Sequence, residues 1–370
     1  EARLSIEDGD TRIDRTILGA GTRVLTQEIP ATKSAGVSLW VPVGSRDEGP
    51  RTAGSTHFLE HLLFKGTNKR SALDIAVAFD SVGGESNAET AREHTAYWAR
   101  VRDADLDMAI ETLTDMVTDS RLDEEDFSME RGVILDELAM GEDSPTDTVH
   151  DTFQLAVHGD RPIGRPVGGT PQAIREVERA DVWEHYQAHY GPSSLIVAAA
   201  GNVDHESVCE RVQAALEGSP WDAGSAASPR PRRSTTVTPI ADHDKDITRR
   251  RDVTQAHVII GCEGLSATDP AGPTMSVLLS VLGGSMSSRL FQEVREKRGL
   301  AYTTYAFDVA YSDTGTFGMY AGCSPDKVGE VEAIMRAQLE DLASDGPTEE
   351  EMTRVLGQVR GGVVLGLEDN

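Results

Sequence analysis

His57-Phe58-Leu59-Glu60-His61 sets two imidazoles and a carboxylate along one side of a single helix. At roughly 100° per residue, positions i and i+4 lie about 40° apart, and i+3 lies about 60° to the other side. His57 and His61 can therefore grip one zinc ion while Glu60 reaches the position left to water. A hydrolytic zinc needs three protein ligands and one open position. The pentapeptide thus supplies two ligands and a general base, and one ligand must come from elsewhere. Two incidental histidines on a surface helix are the plain alternative, but burying them with a glutamate among leucines and no metal would be costly.

The missing donor should be a carboxylate on another helix. Residues 123–142 read as helical, with Phe127, Val133, Ile134 and Leu138 as apolar positions. Glu130 and Glu137, two turns apart, project from one face about 20° out of line. One of them can ligate and the other can support the site, and the spacing leaves open which is which.

The elements that carry these groups follow from pattern. Leu59, Leu62, Leu63 and Phe64 form an apolar stripe, Gly54-Ser55-Thr56 offers capping chemistry, and Gly66 ends the helix. Residues 24–26 and the alternating Val37, Leu39, Val41 and Val43 read as strands, 71–82 as a helix stopped by Gly83-Gly84, 87–101 as extended, and 106–117 as helical. A stretch rich in Gly, Ser, Ala and Pro, 218–236, reads as a linker between domains 1–217 and 237–370. The second half repeats the first, with 257–260 answering the strand 37–43, 272–283 the metal helix, extended runs over 302–320, and 328–342 answering 106–117. Arg360-Gly361-Gly362-Val363-Val364-Leu365 answers Arg131-Gly132-Val133-Ile134-Leu135, which sets Gly366 opposite Glu137. No second HxxEH exists, so the copy is expected to be metal-free. It also stops early, and the chain reads as short by about one helical subdomain.

Composition bounds the function. A chain of 370 residues suggests two domains, and 38% hydrophobic residues suffice for two cores. A formal charge of −27 argues against nucleic acid, since the basic clusters Arg230/Arg232/Arg233 and Arg249-Arg250-Arg251 lack interleaved aromatics. The apolar run 195–200 is too short to span a bilayer, and no secretory h-region marks the first thirty residues. Cys209, Cys262 and Cys323, widely spaced, read as buried thiols of a reducing compartment, hence a cytoplasmic protein. His185 and His189 form another i, i+4 pair, but with no carboxylate between them they read as a packed helix end before Gly191-Pro192.

With Leu62-Leu63-Phe64-Lys65-Gly66-Thr67 after the HxxEH and Glu130-Arg131-Gly132-Val133-Ile134 plus Glu137 downstream, nearly the whole chain resembles the pitrilysin/insulinase zinc metallopeptidases. HxxEH is the inverzincin order, and the likeness is to the branch of the mitochondrial processing peptidase and its bacterial relatives. The resemblance implies an α+β fold of two homologous domains, each a mainly antiparallel sheet packed by helices. It makes Glu137 the third zinc ligand and Glu130 the supporting carboxylate. Asn87, Ala88 and Thr90 would lie on an edge strand to which peptide substrate adds by backbone pairing. Arg295 and Tyr302, with Arg298 as rival to the former, would bind the substrate carbonyl and its developing oxyanion. The implied activity is a zinc endopeptidase with Glu60 as base, acting on peptides or unfolded segments inside an enclosure built from two chains, as a homodimer or a heterodimer with a metal-free relative. The competing class is a non-catalytic peptide-binding or scaffold subunit of such a heterodimer.

Overall fold

The computed structural model describes residues 3–8, 11–221, 223–236 and 245–366. Residues 237–244 and 367–370, where the sequence places the two ends of the second domain, lie outside the described residues. The chain divides into two compact units, Glu1–Ala139 with Pro166–Pro231, and Met140–Arg165 with Arg232–Asp369. These bounds differ from 217/237. The segment 140–165 groups with the second unit because its helix packs on that unit's sheet, a tertiary choice that linker composition does not carry.

In chain order the elements are β1 (Arg3–Asp8), β2 (Thr11–Ile17), β3 (Arg23–Glu28), β4 (Ser34–Val41), α1 (Ser55–Leu63), α2 (Ala72–Asp80), β5 (Glu85–Thr90), β6 (Thr95–Arg102), α3 (Leu106–Asp119) and α4 (Glu124–Asp143). After α5 (Pro145–His158) come α6 (Pro171–Glu176), α7 (Arg179–His189), β7 (Ile196–Gly201) and α8 (His205–Glu217). The remainder is β8 (Ala256–Glu263), α9 (Gly272–Leu282), a π-helical turn Phe291–Glu296, β9 (Ala301–Ala310), β10 (Gly315–Cys323), α10 (Val328–Asp345) and α11 (Glu349–Gly366).

The first unit's sheet runs β1-β2-β3-β7-β4-β6-β5, antiparallel throughout except for β3 beside β7. Strand β4 alternates half-buried and buried side chains, with Val37, Leu39 and Val41 turned to the core beneath α1 and α3. Residues 87–101 are not one extended run. They form the hairpin β5–β6, whose turn is closed by Ala91 N–H donating to His94 O at 2.8 Å.

The second unit's sheet, β8-β10-β9, is antiparallel. Its order reproduces β4-β6-β5, and β8, α9, β9, β10, α10 and α11 follow one another as β4, α1, β5, β6, α3 and α4 do. The second core gathers Leu282, Val294, Met319, Val331 and Met335. Cys209 and Cys323 are buried, whereas Cys262, expected inside, is exposed toward the end of β8. Among the described residues no helix is long and apolar enough to cross a membrane.

Candidate metal centre

Helix α1 exists because Phe58, Leu59, Leu62 and Leu63 are wholly buried in the first core, each such burial contributing roughly 1.5–3 kcal/mol. Phe58 stacks on Phe127 of α4 with ring centroids 4.3 Å apart, which sets the two helices against each other. Arg131 locks α4 further, donating to the Ile174 and Val177 carbonyls at the end of α6. This packing leaves His57, Glu60 and His61 on the flank that faces α4 and β5.

The helix start departs from the expected capping. Gly54 is the N-cap at φ +93°, and a Cβ there would stand 2.5 Å from Ile174 Cδ1. The first-turn N–H groups are met instead by Glu48, whose Oε2 accepts from Gly54 N and Oε1 from Thr56 N, each at 2.6 Å. Burial pushes the Glu48 carboxyl up to about 7, although those hydrogen bonds pull the other way. Thr56 Oγ1 is hydrogen-bonded to Nε2 of His185 at 3.0 Å, and burial depresses that imidazole to about 4.

His57 Nε2 and His61 Nε2 lie 3.3 Å apart, and Glu137 brings Oε1 within 3.6 Å of the first and Oε2 within 3.3 Å of the second. Among the described residues this is the one His/Cys/Asp/Glu group whose donor atoms converge as metal ligands do. Zinc bonds of about 2.0–2.1 Å at tetrahedral angles set ligand atoms about 3.3–3.4 Å apart, so the donor set fits zinc. Burial, more than any neighbouring charge, lowers the basicity of His57 and favours the neutral ring that ligates. Nδ1 of His57 is buried without a hydrogen-bond partner among the described residues. Nδ1 of His61 meets Oε2 of Glu130 at 2.9 Å, and Lys65 Nζ holds the other Glu130 oxygen at 2.6 Å. Glu130 is buried, whereas the Glu137 side chain is half exposed and leaves the site open to solvent. Of the two glutamates, Glu137 lies on the histidine pair and Glu130 behind His61.

Beside the cluster, Glu60 Oε2 accepts from Thr90 Oγ1 at the end of β5. Among the described residues that strand pairs with β6 alone, at the edge of the sheet. Ala88 and Thr90 turn inward, whereas Asn87 is exposed and its Oδ1 accepts from Ala88 N at 2.9 Å. Arg295 and Tyr302 make their own cluster in the second unit. The Arg295 guanidinium sits between the rings of Phe291 (4.7 Å) and Tyr302 (4.5 Å) and donates to Tyr302 O at 3.0 Å. Tyr302 is 74% exposed. The rival Arg298 is bound to Glu293 instead. Glu48 was not legible as a site residue, its one signal being an acid shortly before a helix whose N-cap is glycine.

Known proteins place this geometry. Residues 23–171 match the insulinase family, peptidase family M16, and 176–359 match the peptidase M16 inactive domain. The chain is 50% identical, over 98% of its length and 79% of the relative's, to a protein named as an uncharacterized zinc protease of Streptomyces coelicolor. A Bacillus subtilis protein so named is 34% identical over 94% of this chain and 83% of its own. A solved protease from Helicobacter pylori shares the fold at a TM-score of 0.84 and 23% identity, covering 99% of this chain and 86% of that one. The M16 inactive domain from Pseudomonas fluorescens does so at 0.81 and 17%, covering 94% and 83%. A likeness of this extent, over both halves, makes the chain a member of the M16 insulinase family of zinc-protease-like proteins.

Proposed function

We propose that this protein is a zinc-dependent endopeptidase that hydrolyses peptides or unfolded segments. The observation that carries the reading is the convergence of His57, His61 and Glu137 on one point, with Glu60 tethered beside it by Thr90. His57, His61 and Glu137 would hold the ion. When bound, zinc supplies a Lewis acid that polarises a carbonyl and acidifies water. Glu60 accepts the proton of the attacking water and returns it to the leaving amine. The free edge of β5 pairs with an extended substrate through backbone groups, which fixes the scissile bond while demanding little of side chains. Arg295, pinned between two rings, and the exposed Tyr302 hydroxyl are the donors assigned to the substrate carbonyl oxygen. Two chains, identical or one metal-free, are inferred to enclose the substrate and exclude folded proteins, in the cytoplasm.

The test is cleavage of an unfolded-peptide library by purified protein, followed by mass spectrometry of products. Cleavage that is lost on chelation and restored by one equivalent of zinc per chain is expected. A protein that binds one zinc yet cleaves nothing in the library, with or without a metal-free partner, would instead be the peptide-binding subunit.

A further inference from the structure

Glu48 reaches the metal helix from a loop fixed elsewhere. Ser45 N donates to Ala91 O at 3.1 Å and Arg46 N to Arg92 O at 3.0 Å, while Arg46 pairs with Glu93. Asp47 Oδ2 accepts from Gly44 N at 3.0 Å. Gly44 lies so close to the β5–β6 turn that a Cβ would stand 2.3 Å from Ala91 O. The loop is thus zipped to the turn that follows Thr90, and at its end Glu48 grips the first turn of α1. One connected frame holds both the start of the helix bearing His57 and the strand end that holds Glu60.

The type of cap is informative. With a left-handed Gly54 and no room for a Cβ, no side chain at the N-cap can serve. A carboxylate bonds these N–H groups more strongly than a neutral acceptor would, but its burial carries a desolvation cost that a neutral acceptor would escape. A cation nearby gives the anion a further purpose. His57 is the third residue of α1, at the positive end of the helix dipole, where a divalent ion on its ring is disfavoured. A buried negative charge on those same N–H groups offsets this, and low dielectric strengthens the effect.

Resting on the zinc reading above, we propose that Glu48 is a positioning residue for the metal centre, fixing the first turn of α1 and neutralising its dipole so that His57 can hold a divalent cation. The experiment measures zinc affinity by chelator competition at pH 8 and, separately, the thermal midpoint of zinc-stripped protein, for wild type, Glu48→Gln and Glu48→Asp. Loss of a group hydrogen-bonded directly to a metal ligand weakens affinity by about 10- to 100-fold, and Glu48, one residue removed from His57, is set at the low end of that range. Glu48→Gln is therefore expected to bind zinc about tenfold more weakly and to show a smaller zinc-induced rise in midpoint, with Glu48→Asp between it and wild type. A merely structural cap would lower the stripped protein's midpoint and leave zinc affinity within about twofold, and that result overturns the proposal. If Glu48→Gln does not fold, Glu48→Asp is judged by the same criterion. Failure of wild type itself to take up zinc overturns this proposal along with the reading it rests on, and shows itself before any variant is made.

Discussion

Thr90 Oγ1 donates a 2.5 Å hydrogen bond to Glu60 Oε2, so the strand proposed to pair with a peptide also aims the proposed base. Thr90, expected to meet substrate through its backbone, spends its hydroxyl on a residue of its own chain. Thr90→Val should lower kcat by roughly tenfold with KM and zinc content little changed, and Thr90→Ser should restore most of it. Steady-state kinetics decides the matter, since a rise in KM at constant kcat would place the hydroxyl on substrate instead.

The ligand and base roles separate by substitution. Glu60→Gln should retain about one zinc per chain and lose peptidase activity, because an amide keeps the shape but takes no proton. Glu137→Gln and the pair His57→Ala/His61→Ala should lose metal while circular dichroism stays close to wild type, since Phe58, Leu59, Leu62 and Leu63 carry the packing of α1. Metal analysis beside a peptide assay checks both, and wild-type turnover in Glu60→Gln would end the proposed mechanism.

His185 predicts a pH dependence. Its folded pKa lies near 4 against an ordinary 6.5, so on acidification the unfolded chain takes the proton first. Stability is present in full above about 6.5 and lost as pH falls toward 4. At about 1.4 kcal/mol per tenfold change in proton affinity, the loss is on the order of 3 kcal/mol. Asp47 favours the charged ring and His189 opposes it, but burial dominates. Glu48 acts with the opposite sign: raised from 4.5 to about 7, it contributes stability below 4.5 that is lost as pH climbs through 7. The two slopes mask each other in the wild type. Zinc-stripped His185→Gln should therefore gain stability relative to wild type between pH 7 and 4.5, as read by denaturant unfolding at both pH values. An unchanged difference would show that His185 does not carry this linkage.

The proposed assembly of two chains around shared sites predicts complementation. A Glu60→Gln chain mixed with a Tyr302→Phe chain, each inactive alone, should regain part of the activity once differently tagged subunits have exchanged, because one of the two sites then combines intact Glu60 with intact Tyr302. Tagged heterodimers as inactive as either parent would place Tyr302 in the service of its own chain or of none.

The placement of the candidate site was the most legible part of the sequence, because helical periodicity alone puts His57, Glu60 and His61 on one flank and Glu130 above Glu137. The alternating Val37 to Val43 and the repeated Arg-Gly segments likewise foretold a doubled order of strands and helices. What the sequence withheld depends on distant partners. Glu48 caps a helix it is not part of, and Thr90 reaches Glu60 only because β5 folds back on β6. The placing of 140–165 with the second unit is decided by where α5 finds a sheet, and β1 carries Leu4 and Ile6 exposed, while β2 is mostly half-buried around a buried Asp14.

The position of β7 bears on how the chain is made. Strands β3 and β4 are near neighbours in sequence, yet Ile196–Gly201 lies between them in the sheet, parallel to one and antiparallel to the other. On a ribosome adding about 5–20 residues per second, both strands wait on the order of ten to thirty seconds for that partner. During the wait their hydrogen-bonding edges are unfilled and open to other nascent chains. A topology with so distant a central strand folds late and slowly, so the first unit to be synthesised is not one that can close as it emerges.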